Sequence, residues 1–384
     1  MKQRTFKLKE FAQDISVAVK DAQLSPLKRF VGLEHYDSNE PVITRFTDTS
    51  LLSSSVKEFS ENDILIARRN VYLRRAGIVF FSGLTSGDSI VLRIYNDCED
   101  RTGIPKDDAI RIIPFILNSN DFWAYANKHA DGMNSKRISK DMLYDYEFSL
   151  PPIEEQRILA DKLWAAYRLK ESYKKLLTAT EEMVKSQFIE MFGNGNWEQK
   201  VLGEVGTFKR GGGFQKSDYV ERGIPCIHYG QIHTKFGPFI YSHITEISSD
   251  LESKTKFAAK GDLIIAITSE DTEGSCKSTA WLGDYPVAVG GHAAIFHHCM
   301  NPVYMSFFFK SALFNYAKME YVHGTKVCEI KPDDIAKILV PCPPMSLQEE
   351  FSSIAQQADK SEFELRKSIE AIDQVIKSLI NDIK

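Results

Sequence analysis

The sequence predicts an α+β protein in which two sheet-containing globular domains alternate with two long helices. Three observations predict this class. The segment Leu150-Pro151-Pro152 recurs as Cys342-Pro343-Pro344, 192 residues later in a chain of 384. Each copy is followed by a long stretch without proline or glycine. Ahead of each copy, short apolar runs alternate with turn residues, which is typical of strands.

Each Pro-Pro-x-x-x-Gln segment is predicted to begin a long helix. Paired prolines suit a first helical turn, because its N–H groups have no partner inside the helix. Glu154 and Glu155 add negative charge at the positive end of the helix dipole. We expect the first helix to end at Gly193. A helix of roughly 40 residues far exceeds the average of about 11–12, which favours a coiled coil over two ordinary amphipathic core helices.

A heptad seam is predicted on both helices. In the second helix the apolar residues are spaced 4-3-4-3, which is the spacing of a coiled-coil seam. They are Leu365, Ile369, Ile372, Ile376 and Leu379. The positions 192 residues earlier are Tyr173, Leu177, Thr180, Val184 and Gln187, with Leu176, Met183 and Phe188 as apolar neighbours. We expect the two helices to pair antiparallel through these seams, which would give a pseudo-twofold molecule.

These segments divide the chain into four parts. We predict a first domain over residues 1–150, a first helix over 151–193, a second domain over 194–342 and a second helix over 343–384. Strands are expected at 64–67, 77–81 and 90–94, and at 224–227, 263–267, 287–289 and 292–296. Helices are expected near 118–128 and 304–318. Gly132 recurs as Gly324 at a step of 192, whereas Asp63 recurs as Asp262 at a step of 199. The domains therefore share a frame and differ by insertions.

Composition limits the function classes. The net charge of −4 excludes a globally basic nucleic-acid binder, so any DNA surface must be a local patch. The six cysteines show no CxxC spacing, which indicates reduced thiols in a cytoplasmic protein. The N-terminal residues contain no apolar targeting region, and no apolar run is long enough to span a bilayer. We expect no membrane association.

The chain resembles the DNA specificity subunit of type I restriction–modification systems. The features that carry this resemblance occur twice and in the same order: the Pro-Pro-x-x-x-Gln helices, the segments around Gly132 and Gly324, and Asp63 and Asp262 ahead of their strands. The resemblance covers essentially the whole chain. It departs from the pattern at the start, where Leu8 and Glu10 only loosely match Leu202-Gly203-Glu204.

The resemblance implies two target recognition domains that each read half of a bipartite duplex DNA site. It also implies that the helices recruit two methyltransferase subunits and that restriction motor subunits join the assembly. The subunit itself is then non-catalytic and needs no cofactor. A coiled-coil scaffold whose domains bind proteins, with no DNA role, is the alternative. Salt-dependent binding to duplex DNA distinguishes the two.

An arginine-rich stretch is the main candidate DNA contact in the first domain. It contains Arg68, Arg69, Asn70, Tyr72, Arg74 and Arg75. Arginine recognises phosphate and guanine, and asparagine recognises adenine, although a solvated basic turn would have the same composition. Lys136 and Arg137 follow Gly132 and are expected to contact phosphate, as is Lys326 after Gly324.

Further candidates lie in the second domain. Lys209 and Arg210 precede three glycines, and Gln215 and Lys216 follow them, so a backbone approach to phosphate and a flexible hairpin turn are both open. Lys277 ends an acidic loop, Ser269–Lys277, at the position of the arginine-rich stretch. An acidic solvent loop is the simpler interpretation, and carboxylates that accept from cytosine are the other.

No catalytic constellation can be identified in the sequence. Asn301-Pro302-Val303-Tyr304 differs from the Asn-Pro-Pro-Tyr of amino-methyltransferases, and no glycine-rich cofactor loop accompanies it, so a turn before a helix is expected. His297-His298-Cys299 are adjacent residues and cannot by themselves form a tetrahedral zinc site. The sequence predicts neither a metal nor a cofactor.

The helices lead to a prediction about spacing. If each domain reads one half-site, the helices act as a ruler between them. One heptad inserted near both Leu177 and Ile369 keeps the seam in register and adds about 10 Å, or roughly three base pairs. We expect the non-specific gap of the methylated site to lengthen while both half-sites stay unchanged, as measured by methylome sequencing. Altered half-sites with an unchanged gap would refute the ruler.

Overall fold

The computed structural model describes residues 4–52, 56–133, 135–193, 195–324 and 327–381, without the side chains of Leu51 and Lys216. Contacts between residues divide the chain into two compact units. Unit 1 is Met1–Lys175 with Arg366–Lys384, and unit 2 is Leu176–Leu365. Each unit therefore contains part of both long helices, whereas the sequence-based division placed the helices outside the domains.

Unit 1 combines two main sheets with short helices. Its strands are β1 Arg4–Lys7, β2 Ala12–Asp14, β3 Ala18–Val19, β4 Arg29–Val31, β5 Thr47–Asp48, β6 Val56–Phe59, β7 Ile64–Ala67, β8 Ala76–Ile78, β9 Gly83–Ser86, β10 Ser89–Ile94 and β11 Glu147–Leu150. Its helices are α1 Leu8–Phe11, α2 Cys98–Thr102, α3 Lys106–Ile116, α4 Asn120–Lys128, α5 Lys140–Tyr144 and the start of α6, Ile153–Phe192. The main sheets have the orders β2-β10-β7-β8 and β3-β6-β9-β4-β5.

Unit 2 repeats this organisation. Its strands are β12 Glu198–Val201, β13 Gly206–Arg210, β14 Tyr219–Val220, β15 Ile224–Ile227, β16 Phe239–Ile240, β17 Thr245–Ile247, β18 Lys256–Ala258, β19 Leu263–Ala266, β20 Thr268–Ser269, β21 Ser278–Trp281, β22 Val287–Val289, β23 Ala293–His298, β24 Cys328–Glu329 and β25 Leu339–Cys342. Its helices are α7 Leu202–Val205, α8 Tyr229–Thr234, α9 Pro302–Phe308, α10 Ala312–Lys318, α11 Pro332–Ile335 and the start of α12, Met345–Asn381. The main sheets have the orders β13-β23-β19-β21-β16 and β14-β17-β15-β22-β18.

The two units open in the same way, although the sequence match there is weak. In each, a first strand pairs antiparallel with the strand that precedes a long helix, β1 with β11 and β12 with β25. A one-turn helix follows in both. The Lys7 N–H donates to the Glu10 carboxylate at 2.5 Å, and the Val201 N–H donates to Glu204 at 3.1 Å. The first strand and the one-turn helix of each unit are therefore in register at a step of 194.

A buried aspartate directly precedes the central strand of each unit. Asp63 accepts the Ser60 N–H at 2.7 Å, and Asp262 accepts the Ala259 N–H at 2.8 Å. The residue before each aspartate is left-handed, with φ of 68° at Asn62 and 95° at Gly261. Asparagine and glycine tolerate this conformation best. The same turn is thus built twice, as the sequence comparison predicted.

The Pro-Pro-x-x-x-Gln motif forms a cap in which the glutamine reaches back to the first proline. The Gln156 amide donates to the Pro151 carbonyl at 2.7 Å, and the Gln348 amide donates to the Pro343 carbonyl at 2.8 Å. Both glutamines are buried. The Gly193 N–H bonds the Ile189 carbonyl and closes the end of α6, where the sequence predicted it.

Segments of α6 and α12 pack together inside each unit. In unit 2, the rings of Phe188 and Phe192 lie 5.2 and 5.6 Å from that of Phe351. Further along, Glu362 of α12 and Glu181 of α6 both influence the pKa of Lys310, which burial lowers to about 8. Within unit 2, α12 therefore runs antiparallel to α6, as expected.

The predicted seam positions are more buried than their surroundings. On α12, Ile376 is buried, and Leu365, Ile369, Ile372 and Leu379 are half-buried. On α6, Val184 is buried, and Tyr173, Leu177, Thr180 and Gln187 are half-buried. Of the expected apolar neighbours, Phe188 is buried, whereas Leu176 and Met183 are exposed. Among the described residues, no helix is long and apolar enough to cross a membrane.

Most predicted strands are present, and one predicted helix is wrong in extent. The helix expected over 304–318 is two helices, α9 and α10. Asn301 caps the first by accepting the Val303 and Tyr304 N–H groups at 2.9 and 3.2 Å, which confirms a turn before a helix there. Ser311 accepts the Phe314 N–H at 3.2 Å and starts the second. A serine cap competes with helix continuation, which explains the break.

A buried lysine in unit 1 joins both long helices to the domain. The Lys170 ammonium of α6 lies 2.7 Å from the Glu40 carboxylate and 2.5 Å from that of Asp373 in α12. Lys170 is 5% exposed, so its charge depends on these partners. Lys174 binds the same Glu40 oxygen at 2.9 Å but is 39% exposed.

We predict that Lys170→Met destabilises unit 1 by about 3 kcal/mol, because it removes the buried ammonium that pairs with both Glu40 and Asp373. Lys174→Met is the matched control and should cost less than about 1 kcal/mol, because its ion pair is screened by solvent. Chemical denaturation followed by tryptophan fluorescence measures both. Equal losses for the two variants would contradict the role assigned to Lys170.

Candidate nucleic-acid interface

The arginine-rich stretch of unit 1 is a fixed turn at the end of β7. A single 3-10 turn, Val71–Leu73, lies between two left-handed residues, Asn70 with φ of 54° and Arg74 with φ of 52°. Val71 is buried beneath the turn, whereas Tyr72 is 62% exposed. The buried Val71 side chain therefore holds the backbone of the turn in place, and the Tyr72 side chain extends into solvent.

A second segment packs beside this turn. The Asn70 N–H donates to the Lys136 carbonyl at 2.7 Å, and the Ile138 N–H donates to the Arg68 carbonyl at 3.1 Å. Gly132 has φ of 118°, and a Cβ there would lie 2.8 Å from the Ser135 carbonyl oxygen, so the turn requires glycine. Lys136 and Arg137 are both exposed. The structure thus brings these residues, far apart in sequence, to one edge of unit 1.

Three arginines share one carboxylate at this edge. Asp88 lies 3.1 Å from Arg69, 3.6 Å from Arg137 and 3.7 Å from Arg68. We call Arg68, Arg69 and Arg137 the arginine cluster. One negative charge cannot neutralise three guanidinium groups, and all three are partly exposed. The cluster keeps a surplus of positive charge and donors that match phosphate oxygens.

The remaining arginines of the stretch differ from the cluster. Arg74 donates to the Asn120 side chain at 2.9 Å on the surface. Arg75 points inward, and its nitrogens donate to the carbonyls of Leu33 at 2.9 Å and Arg69 at 3.1 Å. Burial lowers the pKa of the Arg75 guanidinium. Two of the Arg75 donors therefore support the backbone of the turn, and a direct DNA contact by Arg75 stays a prediction.

The residues predicted to bind DNA in unit 2 differ in how far their side chains already contact the protein. Lys209 is exposed at the end of β13. Arg210 donates to the Gly291 carbonyl at 2.9 Å and pairs with Glu329 at 3.1 Å. Gln215 is exposed. The Lys216 side chain and Lys326 lie outside the described residues.

The triglycine segment has a packing role at two of its three positions. A Cβ on Gly211 would lie 2.3 Å from the Gly290 carbonyl oxygen, and one on Gly212 would lie 2.7 Å from that of Lys254. Close backbone approach within unit 2 therefore accounts for these two glycines. Gly213 has open space around it, so it alone retains room for an approaching phosphate.

The acidic loop Ser269–Lys277 is held from inside by a buried lysine. The Lys318 ammonium, 2% exposed, donates to the carbonyls of Glu273 at 2.9 Å and Ser275 at 2.7 Å. Cys276 in this loop is left-handed, with φ of 63°, like Arg74 in unit 1. Lys277 is exposed. The loop occupies the place of the arginine-rich stretch, as predicted, but carries carboxylates instead of arginines.

Matching backbone bonds align the two edges residue by residue. The Arg68 N–H donates to the Asp88 carbonyl at 3.0 Å, and the Ile267 N–H donates to the His292 carbonyl at 3.1 Å. Arg69 is bridged to Arg137, and Thr268 pairs with Glu329. Unit 2 therefore has isoleucine, threonine, histidine and glutamate where unit 1 has Arg68, Arg69, Asp88 and Arg137. The scaffold is shared and the chemistry of the edge is not.

Sequence reasoning missed the residues that complete both edges. Asp88 lies in an ordinary β9–β10 turn, and Tyr229, His233 and His292 are scattered over more than 60 residues. No local motif marks them, and only the sheet topology brings them to the edge.

The adjacent residues His297, His298 and Cys299 do not form a metal site. His297 pairs with buried Asp262 at 2.6 Å, and burial lowers the pKa of His298 to about 4. In the described ranges, no group of three metal-ligating side chains converges.

Solved structures define the class of fold. The chain is similar to a structure titled "Structural basis underlying complex assembly and conformational transition of the type I R-M system", with 16% identity, a TM-score of 0.57 and coverage of 99% of this chain and 97% of that one. It is also similar to the type I restriction-modification system S subunit from M. genitalium, with 12% identity, a TM-score of 0.55 and coverage of 100% and 96%. The α+β fold of two sheet-containing domains with long helices is therefore that of type I specificity subunits.

A family model matches most of the second half of the chain. Residues 194–374 match the family described as type I restriction modification DNA specificity domain. No match was found among curated proteins. Within these residues the chain is similar to the type I restriction modification DNA specificity domain, which agrees with the resemblance seen in its sequence.

Arg75 and Arg74 lead to different predictions for the free energy of unfolding. We predict that Arg75→Ala lowers the free energy of unfolding by about 1–3 kcal/mol, because it removes donors from two carbonyls beneath the turn. Arg74→Ala, the neighbouring control, should change it by less than about 0.5 kcal/mol. Thermal unfolding measures both variants. A stable Arg75→Ala protein would show that its inward contacts contribute little.

Proposed function

We propose that this chain is the non-catalytic DNA-recognition subunit of a type I restriction–modification enzyme. In this proposal each unit reads one half of a bipartite duplex target. The segments of α6 and α12 that leave each unit dock two methyltransferase subunits, and restriction motor subunits join through the assembled complex. The observation that carries the proposal is the repeat: unit 1 has the same turns, strand pairings and capped helix as the unit that contains most of the specificity domain.

The arginine cluster supports DNA binding by unit 1. A chain with a net charge of −4 attracts DNA only where cations are concentrated. Arg68, Arg69 and Arg137 converge on a single carboxylate, and exposed Lys136 adjoins them. Tyr72 and Asn70 on the adjoining turn add groups that can hydrogen-bond to base edges in a groove. Such an edge can both attract the phosphate backbone and contact a groove.

The target is best found in the host. Methylome sequencing with and without the gene for this chain gives both half-sites and the gap. The duplex identified in this way then serves as the ligand in binding measurements with the full-length chain, alone and assembled with its methyltransferase subunits. A scaffold without a DNA role predicts no salt-dependent binding in either form.

We predict that replacing all three cluster arginines by alanine weakens DNA binding and flattens its salt dependence. Each lost phosphate contact should reduce the slope of log affinity against log salt by up to about 0.9. Fluorescence anisotropy at several salt concentrations measures this. Association with the methyltransferase should persist.

The matched control replaces Lys20, Lys28 and Arg101, which are exposed cations of unit 1 without a described contact to the cluster. It removes the same charge and should leave the slope close to that of the unmodified chain. If both triple variants lose slope equally, net charge and not the cluster determines binding.

A further inference from the structure

Two histidines and a tyrosine converge at the edge of unit 2 that corresponds to the arginine cluster. Thr268, the counterpart of Arg69, is their centre. The His233 ring nitrogen Nε2 lies 3.1 Å from the Thr268 carbonyl oxygen, and the Thr268 hydroxyl lies 3.2 Å from His292 Nδ1. The Tyr229 ring centre is 5.1 Å from that of His292 and 6.0 Å from that of His233. We call Tyr229, His233 and His292 the histidine–tyrosine patch.

The hydrogen bonds of the patch fix what it presents. A carbonyl oxygen only accepts, so His233 Nε2 must carry a proton and donate to Thr268. His292 engages Thr268 through Nδ1, and among the described residues neither its Nε2 nor the Tyr229 hydroxyl has a partner. His292 is exposed, and Tyr229 and His233 are half-buried. The patch therefore offers hydrogen-bonding groups at an accessible edge.

His228 has a different task. Its ring nitrogen Nδ1 accepts the Gly230 N–H at 3.1 Å, and its backbone N–H donates to the Gln231 side-chain oxygen at 2.9 Å. These bonds cap the short helix α8, which carries Tyr229 and His233. The cap sets the position of two members of the patch, so His228 is a positioning residue.

The surrounding charges disfavour phosphate here. Arg210 is already paired with Glu329 at 3.1 Å. The loop that follows Thr268 carries Glu270, Asp271 and Glu273, against Lys277 at its end. An edge with this balance adds little attraction for phosphate, whereas base edges carry no net charge. Imidazole and phenol groups can hydrogen-bond to the donors and acceptors that bases expose in a groove.

We propose that the histidine–tyrosine patch contacts the bases of the half-site that unit 2 reads. This inference rests on the function proposed above and names the residues that determine specificity in one half of it. The two edges then recognise DNA differently. Unit 1 combines phosphate attraction with readout, and the edge of unit 2 contributes readout with little electrostatic attraction.

The test uses the full-length chain assembled with its methyltransferase subunits and the duplex identified by methylome sequencing. Affinities are measured for duplexes with single base-pair replacements in each half-site. His292→Ala and Tyr229→Phe should reduce discrimination about 10-fold at one or two positions of a single half-site. The other half-site and the salt slope should not change. Loss of the Tyr229 hydroxyl alone leaves its ring in place, which guards against a folding defect.

His243→Ala is the matched control. His243 also contacts a tyrosine, Tyr285, at 2.7 Å, and pairs with Glu246 at 3.2 Å, but it does not belong to the patch. It should leave discrimination unchanged. Patch variants that discriminate like the unmodified chain, or that lose affinity uniformly at all positions, overturn the inference while the proposed function stands. An unmodified complex that binds without sequence preference overturns both.

Discussion

The antiparallel pairing of two central strands determines which residues meet at the edge of each unit, just beyond the strand ends. In unit 1, β7 pairs with β10 from Ile64 opposite Leu92 to Ala67 opposite Ser89. At one end Asp63 is bound by Arg93 through two bonds of 2.7 Å, which raises the pKa of the guanidinium. At the other end the register sets Arg68 beside Asp88. A slip of one residue would turn every side chain to the opposite face and dissolve the edge.

Unit 2 keeps this constraint with different side chains. Asp262 again begins the central strand β19, but His297 replaces the arginine as its partner. The pairing of β19 with β23 then sets Ile267 beside His292. The buried turn and the strand register are therefore the same in both units, whereas the residues just beyond the strand ends differ. This separation lets one scaffold carry two edges of different charge.

The sequence predicts the elements that depend on hydrophobic periodicity and on local turns. The long helices follow from uninterrupted heptads, the buried strands from short apolar runs, and the Asp63 and Gly132 turns from their repetition. Contacts between distant segments could not be predicted. Asp88 is one acidic residue in a hairpin, and the inward direction of Arg75 depends on the Leu33 carbonyl from another strand connection. The composition of the arginine-rich stretch therefore could not show that Arg75 bonds two backbone carbonyls. The patch around Thr268 was missed for the same reason, since three separate segments contribute to it.

The direction in which each long helix leaves its domain is also fixed locally. Gln348 closes the start of α12 and in addition accepts the Asn301 N–H at 2.9 Å, so the cap is tied to the turn between β23 and α9. Gln156 makes the same bond to its proline, but its buried carbonyl oxygen has no partner among the described residues. There α6 is held instead along its side, where Arg157 pairs with Asp108 at 2.9 Å and the Trp164 indole donates to the Arg111 carbonyl at 2.9 Å. Both solutions use contacts to the preceding domain. A helix that serves as a spacer needs such anchors, because a flexible joint at its start would leave its far end undefined.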